Sequence, residues 1–240
     1  MKKFLYVGVI AFVGVIMSIC ISCNSNSGDN DFDAETFTVL ATYHRANAND
    51  NYFTLEALNK TLYGVNFTPS SISEGQRVKL TYTTTNGTKE GYNQVVTVNS
   101  YDTIWTKVAK SGTISDDSLI KTVPMLYGTA VDTTNAGIVT GSYITLYLTL
   151  PEMSNVSTKL DMFVPSQMNL ENSNDVILTL RAVIVPGQTT GYMTTAKFVS
   201  FYVSPQMIMK LRDKSVYLRY YNSKTLEIKT VKLVNSGFDM

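Results

Sequence analysis

Hydrophobic and polar residues alternate with a period of two along most of the chain from Thr36 onward. This pattern is typical of β-strands that are buried on one face. In the first half of the chain it predicts short strands near residues 37–43, 52–57, 62–67, 77–85, 94–98 and 104–108. No convincing helical period lies between them. Short strands that follow one another this closely are expected to close into a small barrel, because closure removes exposed strand edges.

The alternation weakens between Ser111 and Gly141 and then resumes. The later pattern predicts strands near residues 143–150, 160–164, 176–185, 196–203, 216–221 and 226–234. Their spacing suits an antiparallel β-sandwich. We therefore expect a barrel domain over residues 36–110 and a sandwich domain over residues 111–240, which begins with a linker at 111–120.

The first 22 residues follow a different pattern. Lys2 and Lys3 precede an apolar run from Phe4 to Ile21, an arrangement typical of secretory signal peptides. The run ends in Cys20-Ile21-Ser22-Cys23, which resembles the bacterial lipobox. We expect cleavage after residue 22 and lipid attachment to Cys23. The alternative is an uncleaved membrane anchor, because the apolar run is nearly long enough to cross a bilayer.

Residues 23–35 are small, polar and acidic, with Phe32 as the only core-forming residue. A segment of this composition cannot bury enough apolar surface to fold and is expected to be a flexible tether. Two lipid signals are enough for stable anchoring. The membrane is therefore the partner predicted for the lipidated Cys23.

Charge and cysteine content exclude several kinds of site. The formal net charge is +1, and loss of Lys2 and Lys3 with the signal peptide would lower it by two, to −1. The basic residues are interleaved with acids, whereas nucleic-acid binding needs them clustered. Both cysteines lie in the N-terminal segment, and His44 is the only histidine, so a zinc site of the usual kind is not expected. We predict no metal, no cofactor and no nucleic-acid partner.

No catalytic motif is visible in the sequence. His44 ends an alternating strand without a nucleophile elbow nearby, so we interpret it as a surface residue at a strand end. Glycosidases need only two carboxylates. In this chain the candidate carboxylates are isolated in sequence, except for one adjacent pair whose side chains would point to opposite sides of an extended segment. The candidates are Glu56, Asp116, Asp117, Glu152, Asp161, Glu171 and Asp175. We predict that the protein is not an enzyme. An envelope glycosidase whose carboxylate pair forms only in space is the alternative.

Three groups of residues together resemble the NigD-like lipoproteins of Bacteroidota. They are the segment Glu74-Gly75-Gln76-Arg77-Val78, the pair Val96–Val98 and Ile104–Lys107, and the stretch from Gly128 through Ser142–Leu146 to Leu160–Val164. The resemblance implies an all-β protein in which an N-terminal OB-like small barrel precedes a C-terminal antiparallel β-sandwich. It also implies an outer-membrane lipoprotein, facing the periplasm or exposed at the cell surface. It carries no catalytic residues.

Tyrosine is the residue type that favours a binding function, since the chain has 15 of them. Tyr217, Arg219 and Tyr221 fall on one face of a single predicted strand, about 7 Å apart per step. Tyrosine and arginine are enriched at binding hot spots. We predict that these residues bind another envelope protein or a glycan. The alternative is a strand buried on both faces, with Arg219 paired to a carboxylate such as Glu227.

Three sites resemble the Asp-Ser/Thr-apolar acceptor of Bacteroidota O-glycosylation. The acceptor residues would be Ser118, Thr103 and Thr133. Ser118 is the strongest candidate, because it falls in the predicted linker and exposed loops are accessible to modification.

The lipobox interpretation predicts that Cys23→Ala abolishes both incorporation of labelled palmitate and membrane retention after a carbonate wash. Cys20→Leu is the matched control, because it restores the usual lipobox residue and should leave labelling intact. Continued labelling of Cys23→Ala would show that the lipid is attached elsewhere.

Overall fold

The computed structural model describes residues 34–47, 50–65, 67–69, 71–122, 126–127, 137–153, 159–166, 174–183 and 192–235. The chain divides between Ile104 and Trp105 into two compact units. Both units are built from β-strands with a few short helical turns, which confirms the predicted all-β class. No helix in these ranges has the length and apolar character that a bilayer span requires.

The first unit is a closed five-stranded barrel. Its strands are β1 (Thr36–Arg45), β2 (Asn51–Leu55), β3 (Lys60–Gly64), β4 (Arg77–Thr84) and β5 (Gln94–Thr103), with a 3₁₀ turn at Glu56–Leu58. The strand order is β1-β2-β3-β5-β4, and β4 pairs back onto β1. The strands β3 and β5 run parallel, and the other pairs are antiparallel. This arrangement is a small barrel of the OB type, as predicted.

The barrel core follows directly from the alternation in the sequence. Inward positions contribute a single buried cluster of Ala41, Tyr43, Phe53, Leu55, Leu62, Ile72, Val78, Leu80, Tyr82 and Val96. Burial of each large apolar side chain stabilises the fold by about 1.5–3 kcal/mol. The hydroxyl of Tyr43 donates a hydrogen bond to Asn51 Oδ1 inside the core, so this buried polar group is also satisfied.

The second unit is a sandwich of two sheets. In chain order the strands are β6 (Trp105–Val108), β7 (Lys110–Ser111), β8 (Leu126–Tyr127), β9 (Gly137–Thr140), β10 (Tyr143–Met153), β11 (Lys159–Val164), β12 (Asp175–Val183), β13 (Tyr192–Tyr202), β14 (Ser215–Tyr221), β15 (Ile228–Lys232) and β16 (Val234–Asn235). The strand order of the first sheet is β16-β9-β10-β13-β6, and β8 also pairs with β10. The strand order of the second sheet is β15-β14-β12-β11-β7.

One apolar core joins the two sheets. Leu146, Leu148 and Phe201 of the first sheet cluster with Leu178 and Leu218 of the second. The helices are short: α1 (Asp116–Leu119) precedes β8, and α2 (Pro205–Leu211) places Ile208 and Leu211 in the core. The strands β12 and β14 run parallel rather than antiparallel, because the chain crosses through β13 of the other sheet between them.

The prediction that Ile104–Val108 forms the closing strand of the barrel is wrong. Trp105–Val108 is β6 and pairs in parallel with β13 of the sandwich, and the ring of Trp105 lies 6.0 Å from that of Phe201. The long strand β5 already pairs along β4 through a bulge at Thr81/Tyr82 and completes the barrel. The boundary therefore falls after Ile104, whereas the sequence analysis placed it after residue 110.

The segment predicted as a linker at 111–120 is held within the second unit. The amide of Gly112 donates to Val164 O over 2.8 Å, and Arg219 Nη2 donates to Ile114 O over 2.6 Å. Ser115 caps α1 by accepting a hydrogen bond from the Ser118 amide. Residues tied down by these bonds do not form a free hinge.

A buried carboxylate ties three strands to β11. Asp161 Oδ1 lies 2.6 Å from Lys107 Nζ and 2.9 Å from Lys110 Nζ, and its Oδ2 lies 2.8 Å from Arg181 Nη2. Burial raises the pKa of Asp161, but hydrogen bonds from Lys107, Arg181 and Lys110 outweigh this effect and hold the pKa far below its usual range. Because Lys107 is on β6, the cluster links both sheets of the sandwich.

We predict that Asp161→Asn lowers the free energy of unfolding of the second unit by about 1–3 kcal/mol at pH 7, less than for a fully buried ion pair because the three cations are partly exposed. Denaturant unfolding at several pH values would measure this. The folded-state pKa lies below the unfolded value of about 3.9, so the contribution is present above about pH 4 and is lost as the pH falls further. Exposed Asp102→Asn is the control. Equal stability of Asp161→Asn and wild type at pH 7 would contradict the prediction.

Candidate functional site

Three aromatic residues form a row across the outer surface of the barrel. His44, Tyr52 and Tyr63 occupy outward positions of β1, β2 and β3, because their neighbours in the alternation fill the core. His44 is directly opposite Tyr52, and Tyr52 is directly opposite Tyr63, in the antiparallel registers. Directly opposed side chains on one face of a sheet lie in contact distance, so the row follows from the strand pairing.

A fourth ring completes the surface. Tyr92, from the connection between β4 and β5, places its ring centroid 5.4 Å from that of Tyr52 and 5.2 Å from that of Tyr63. The rings of His44 and Tyr52 are stacked with centroids 4.9 Å apart. All four side chains are partly exposed. We call this set, His44, Tyr52, Tyr63 and Tyr92, the aromatic face.

An ion pair links two loops beside the aromatic face. Asp50 precedes β2, and Lys89 belongs to the connection between β4 and β5; Asp50 Oδ1 and Lys89 Nζ are 3.0 Å apart. The same ammonium group lies 4.6 Å from the centroid of the Tyr63 ring. Hydrogen bonds from Asn47 and Lys89 lower the pKa of Asp50, and the bond to Asp50 raises the pKa of Lys89. Both groups are therefore charged at neutral pH.

The opposite end of the row is held by a carboxylate and a hydroxyl. His44 Nδ1 lies 2.8 Å from Glu74 Oε1, and His44 Nε2 lies 3.0 Å from Thr54 Oγ1. The second oxygen of Glu74 accepts a hydrogen bond from the Arg45 amide over 2.6 Å. Both ring nitrogens of His44 are thus engaged, which fixes the orientation of the ring beside Tyr52.

A buried cation on the same outer side of the barrel supports this arrangement. Arg77 of β4 is 1% exposed although it points away from the barrel core. Its Nη1 pairs with Glu56 and donates to Thr42 Oγ1 over 3.0 Å. Glu56 also accepts hydrogen bonds from Thr42 and from Thr54, the residue that contacts His44. A continuous polar network therefore runs from the buried guanidinium to the aromatic face.

The chemistry of the aromatic face suits a ligand with both apolar and hydroxyl groups. Tyrosine rings offer rigid apolar area with a polar tip, and Asp50, Glu74 and Lys89 add charged hydrogen-bonding groups at the margin. Lys89, the cation over the Tyr63 ring, is already paired with Asp50. Phosphate backbones need unneutralised basic residues, so the surface does not have the character of a nucleic-acid site.

Three described carboxyl groups have a pKa shifted away from what a glycosidase acid requires. The pKa values of Asp50, Asp161 and Glu227 are all shifted downward, whereas the general acid of a glycosidase needs a raised pKa. Within the described ranges, no group of three or more His, Cys, Asp or Glu residues could hold a metal ion.

The residues predicted to bind lie in the other unit. Tyr217, Arg219 and Tyr221 are partly exposed on the outer side of β14, while the residues between them face the core. The guanidinium of Arg219 lies 2.7 Å from Asp116 Oδ1 and also holds Ile114. Arg219 therefore anchors the segment around α1, which the sequence did not predict.

The suggested alternative partner of Arg219 is engaged elsewhere, since Glu227 Oε2 lies 2.8 Å from Lys229 Nζ. Of the predicted modification sites, Ser118 is exposed in α1 and Thr103 is exposed at the end of β5. Cys23 and Thr133 lie outside the described residues. These four sites remain predictions.

Sequence reasoning missed the aromatic face. His44 is a partly exposed residue near a strand end, as expected, but it is also the first member of the row. The available signal was that Tyr52 and Tyr63 alternate with the core residues of consecutive strands. Alternation assigns a side chain to a face, but it does not say which residue it meets on the next strand.

No family model matches this sequence, and no curated protein matches it. Solved structures do match. A protein of unknown function, DUF1344, from Bacteroides vulgatus has a TM-score of 0.62 and 15% identity, over 82% of this chain and 89% of the other. A candidate lipoprotein from Bacteroides fragilis has a TM-score of 0.59 and 13% identity, over 83% and 97% respectively.

A NigD-like immunity protein from Bacteroides caccae is also similar, with a TM-score of 0.50 and 13% identity over 80% of this chain and 90% of the other. Identities this low establish a common fold rather than a common activity. The shared fold covers both units of the chain. The resemblance drawn from the sequence is thus supported at the level of architecture: this chain has the two-unit β fold of a NigD-like protein.

Proposed function

We propose that this chain is a NigD-like lipoprotein of the bacterial outer membrane, without enzymatic activity, that binds a glycan of the cell envelope through its aromatic face. The observation that carries the proposal is the row of His44, Tyr52 and Tyr63 across three neighbouring strands, with Tyr92 packed against it.

The position of the aromatic face in the barrel supports a binding role. OB-type barrels that bind oligosaccharides or oligonucleotides use the face of the second and third strands with the two flanking loops. Here Tyr52 and Tyr63 lie on β2 and β3, and Asp50 and Lys89 come from the connections β1–β2 and β4–β5. This analogy concerns the fold alone. The class of ligand has to be argued from the chemistry of the residues in the aromatic face.

A glycan fits this chemistry better than a nucleic acid or an apolar peptide. Sugar rings combine apolar C–H faces with hydroxyl groups, which match tyrosine rings bordered by carboxylates. The carboxylate of Glu74 would repel a phosphate backbone, and the charges of Asp50 and Lys89 neutralise each other. The margin is too polar for a purely apolar partner, since charged groups are depleted in the buried core of protein interfaces.

Preorganisation is a further argument for binding. The ring of His44 is held at both nitrogens, and the network from Arg77 through Glu56 reaches it through Thr54. A rigid surface loses little conformational entropy when a ligand binds. Surface tyrosines without a binding role would not need such support.

The lipoprotein part of the proposal rests on two supports. The N-terminal residues end in the lipobox-like Cys20-Ile21-Ser22-Cys23, and a candidate lipoprotein from Bacteroides fragilis has the same fold. A lipid on Cys23 would hold the barrel close to the envelope polysaccharides that we propose as ligands.

We expect Tyr52→Ala and Tyr92→Ala each to weaken glycan binding about tenfold, because each removes one aromatic contact. The measurement is a titration with capsular polysaccharide and with mannan, followed by calorimetry. Tyr217→Ala is the matched control, since it removes a partly exposed tyrosine from a strand of the other unit. Thermal unfolding would confirm that all three variants are folded.

The same experiment separates the two candidate surfaces. Loss of binding in Tyr217→Ala, with Tyr52→Ala and Tyr92→Ala unaffected, would place the ligand on β14, as the sequence analysis predicted. Unchanged binding in all three variants, or no binding of either polysaccharide to the wild type, would contradict the proposed function.

The ion pair between the loops provides a second prediction. Lys89→Met should weaken glycan binding several-fold, because the loops around the aromatic face would have to be ordered when the ligand binds. Stability should change little, as is usual for exposed ion pairs. The charge-swapped double variant Asp50→Lys/Lys89→Asp should recover binding. Failure of the swap to recover it would show that Lys89 acts on the ligand directly.

A further inference from the structure

A second cluster of functional groups lies on the outer face of the sandwich. Asp161 and Phe163 point away from the core on β11, because the residues that alternate with them are buried in it. Arg181 of β12 is directly opposite Asp161, and Lys110 of β7 is directly opposite Phe163. Strand pairing therefore places two cations, a carboxylate and an aromatic ring side by side, and Lys107 of β6 reaches the same carboxylate.

The cluster contains more positive charge than its carboxylate can neutralise. The side chain of Asp161 has no exposed surface, whereas those of Lys107, Lys110 and Arg181 are 28%, 42% and 32% exposed. Among the described residues these three cations share Asp161 as their acidic partner, which leaves two positive charges in excess. A lone structural carboxylate would be satisfied by fewer cations, and each additional one repels the others.

Lys107 Nζ donates to Asp161 Oδ1 and also to Leu160 O over 3.1 Å. Lys110 and Arg181 are therefore the cations more available to a ligand. The guanidinium carbon of Arg181 lies 5.3 Å from the centroid of the Phe163 ring, and Lys110 Nζ lies 5.6 Å from the same centroid. The ring and the carboxylate thus hold Lys110 and Arg181 in place while both side chains stay partly exposed.

We propose that Lys107, Lys110 and Arg181 form a binding site for a phosphate monoester group, with Asp161 as the positioning residue. A phosphate monoester carries nearly two negative charges and three terminal oxygens, which match the excess charge and the three cations. Guanidinium groups bind phosphate oxygens through paired hydrogen bonds. The group could belong to a soluble molecule or to a lipid headgroup, and both sources offer the same chemistry.

The test titrates full-length protein in non-ionic detergent with inorganic phosphate and with dihexanoyl phosphatidic acid, monitored by calorimetry. Lys110→Gln should weaken both interactions about tenfold, as expected for loss of one charge-assisted hydrogen bond. Lys110→Arg keeps the charge and should retain binding. Exposed Lys224→Gln is the matched control, and dihexanoyl phosphatidylcholine, a phosphodiester, is the control ligand.

The outcomes distinguish the sources and the proposal itself. Tighter binding of phosphatidic acid than of inorganic phosphate would indicate a lipid headgroup, and equal binding would indicate a soluble phosphate. Equal loss in Lys110→Gln and Lys224→Gln, or wild-type binding in Lys110→Gln, would overturn the site. Asp161→Asn adds an independent check if it remains folded at low temperature, because loss of the positioning residue should weaken binding although the site becomes more positive.

Discussion

The antiparallel register of β1, β2 and β3 is the constraint on which the candidate site depends. Inward positions of these strands must be apolar to fill the barrel, and the residues between them must face outward. Register then decides that His44 meets Tyr52 and that Tyr52 meets Tyr63. A slip of one residue would move every one of these side chains to the opposite face. The core and the aromatic face are therefore two consequences of one pairing.

Two clusters of charge show how differently the units use buried ions. In the barrel, Arg77 is matched by Glu56 and by threonine hydroxyls, and the network ends at His44. In the sandwich, Asp161 is surrounded by three partly exposed cations whose total charge exceeds its own. A matched pair is explained by its support of the neighbouring surface. The cations of an unmatched set repel one another, which support alone does not explain.

Most of the architecture could be predicted from alternation alone, as the strands around Val78 and Leu146 illustrate. The errors occurred where a strand changes partner. Trp105–Val108 alternates like a barrel strand, but it pairs with β13, and no local pattern records the identity of a distant partner. The anchoring of Ile114 and Asp116 by Arg219 was invisible for the same reason, since the residues are about a hundred positions apart.

The sequence by itself determined the strand class, the apolar faces and the lipobox-like N-terminus, because these depend on residue type and local period. It also determined which tyrosines face outward. Only the tertiary structure decided that Tyr92 packs against Tyr52 and Tyr63, and that Lys107 and Arg181 meet at Asp161. Such contacts join residues far apart in sequence, and their geometry comes from strand register and sheet packing, which the period of a single strand does not contain.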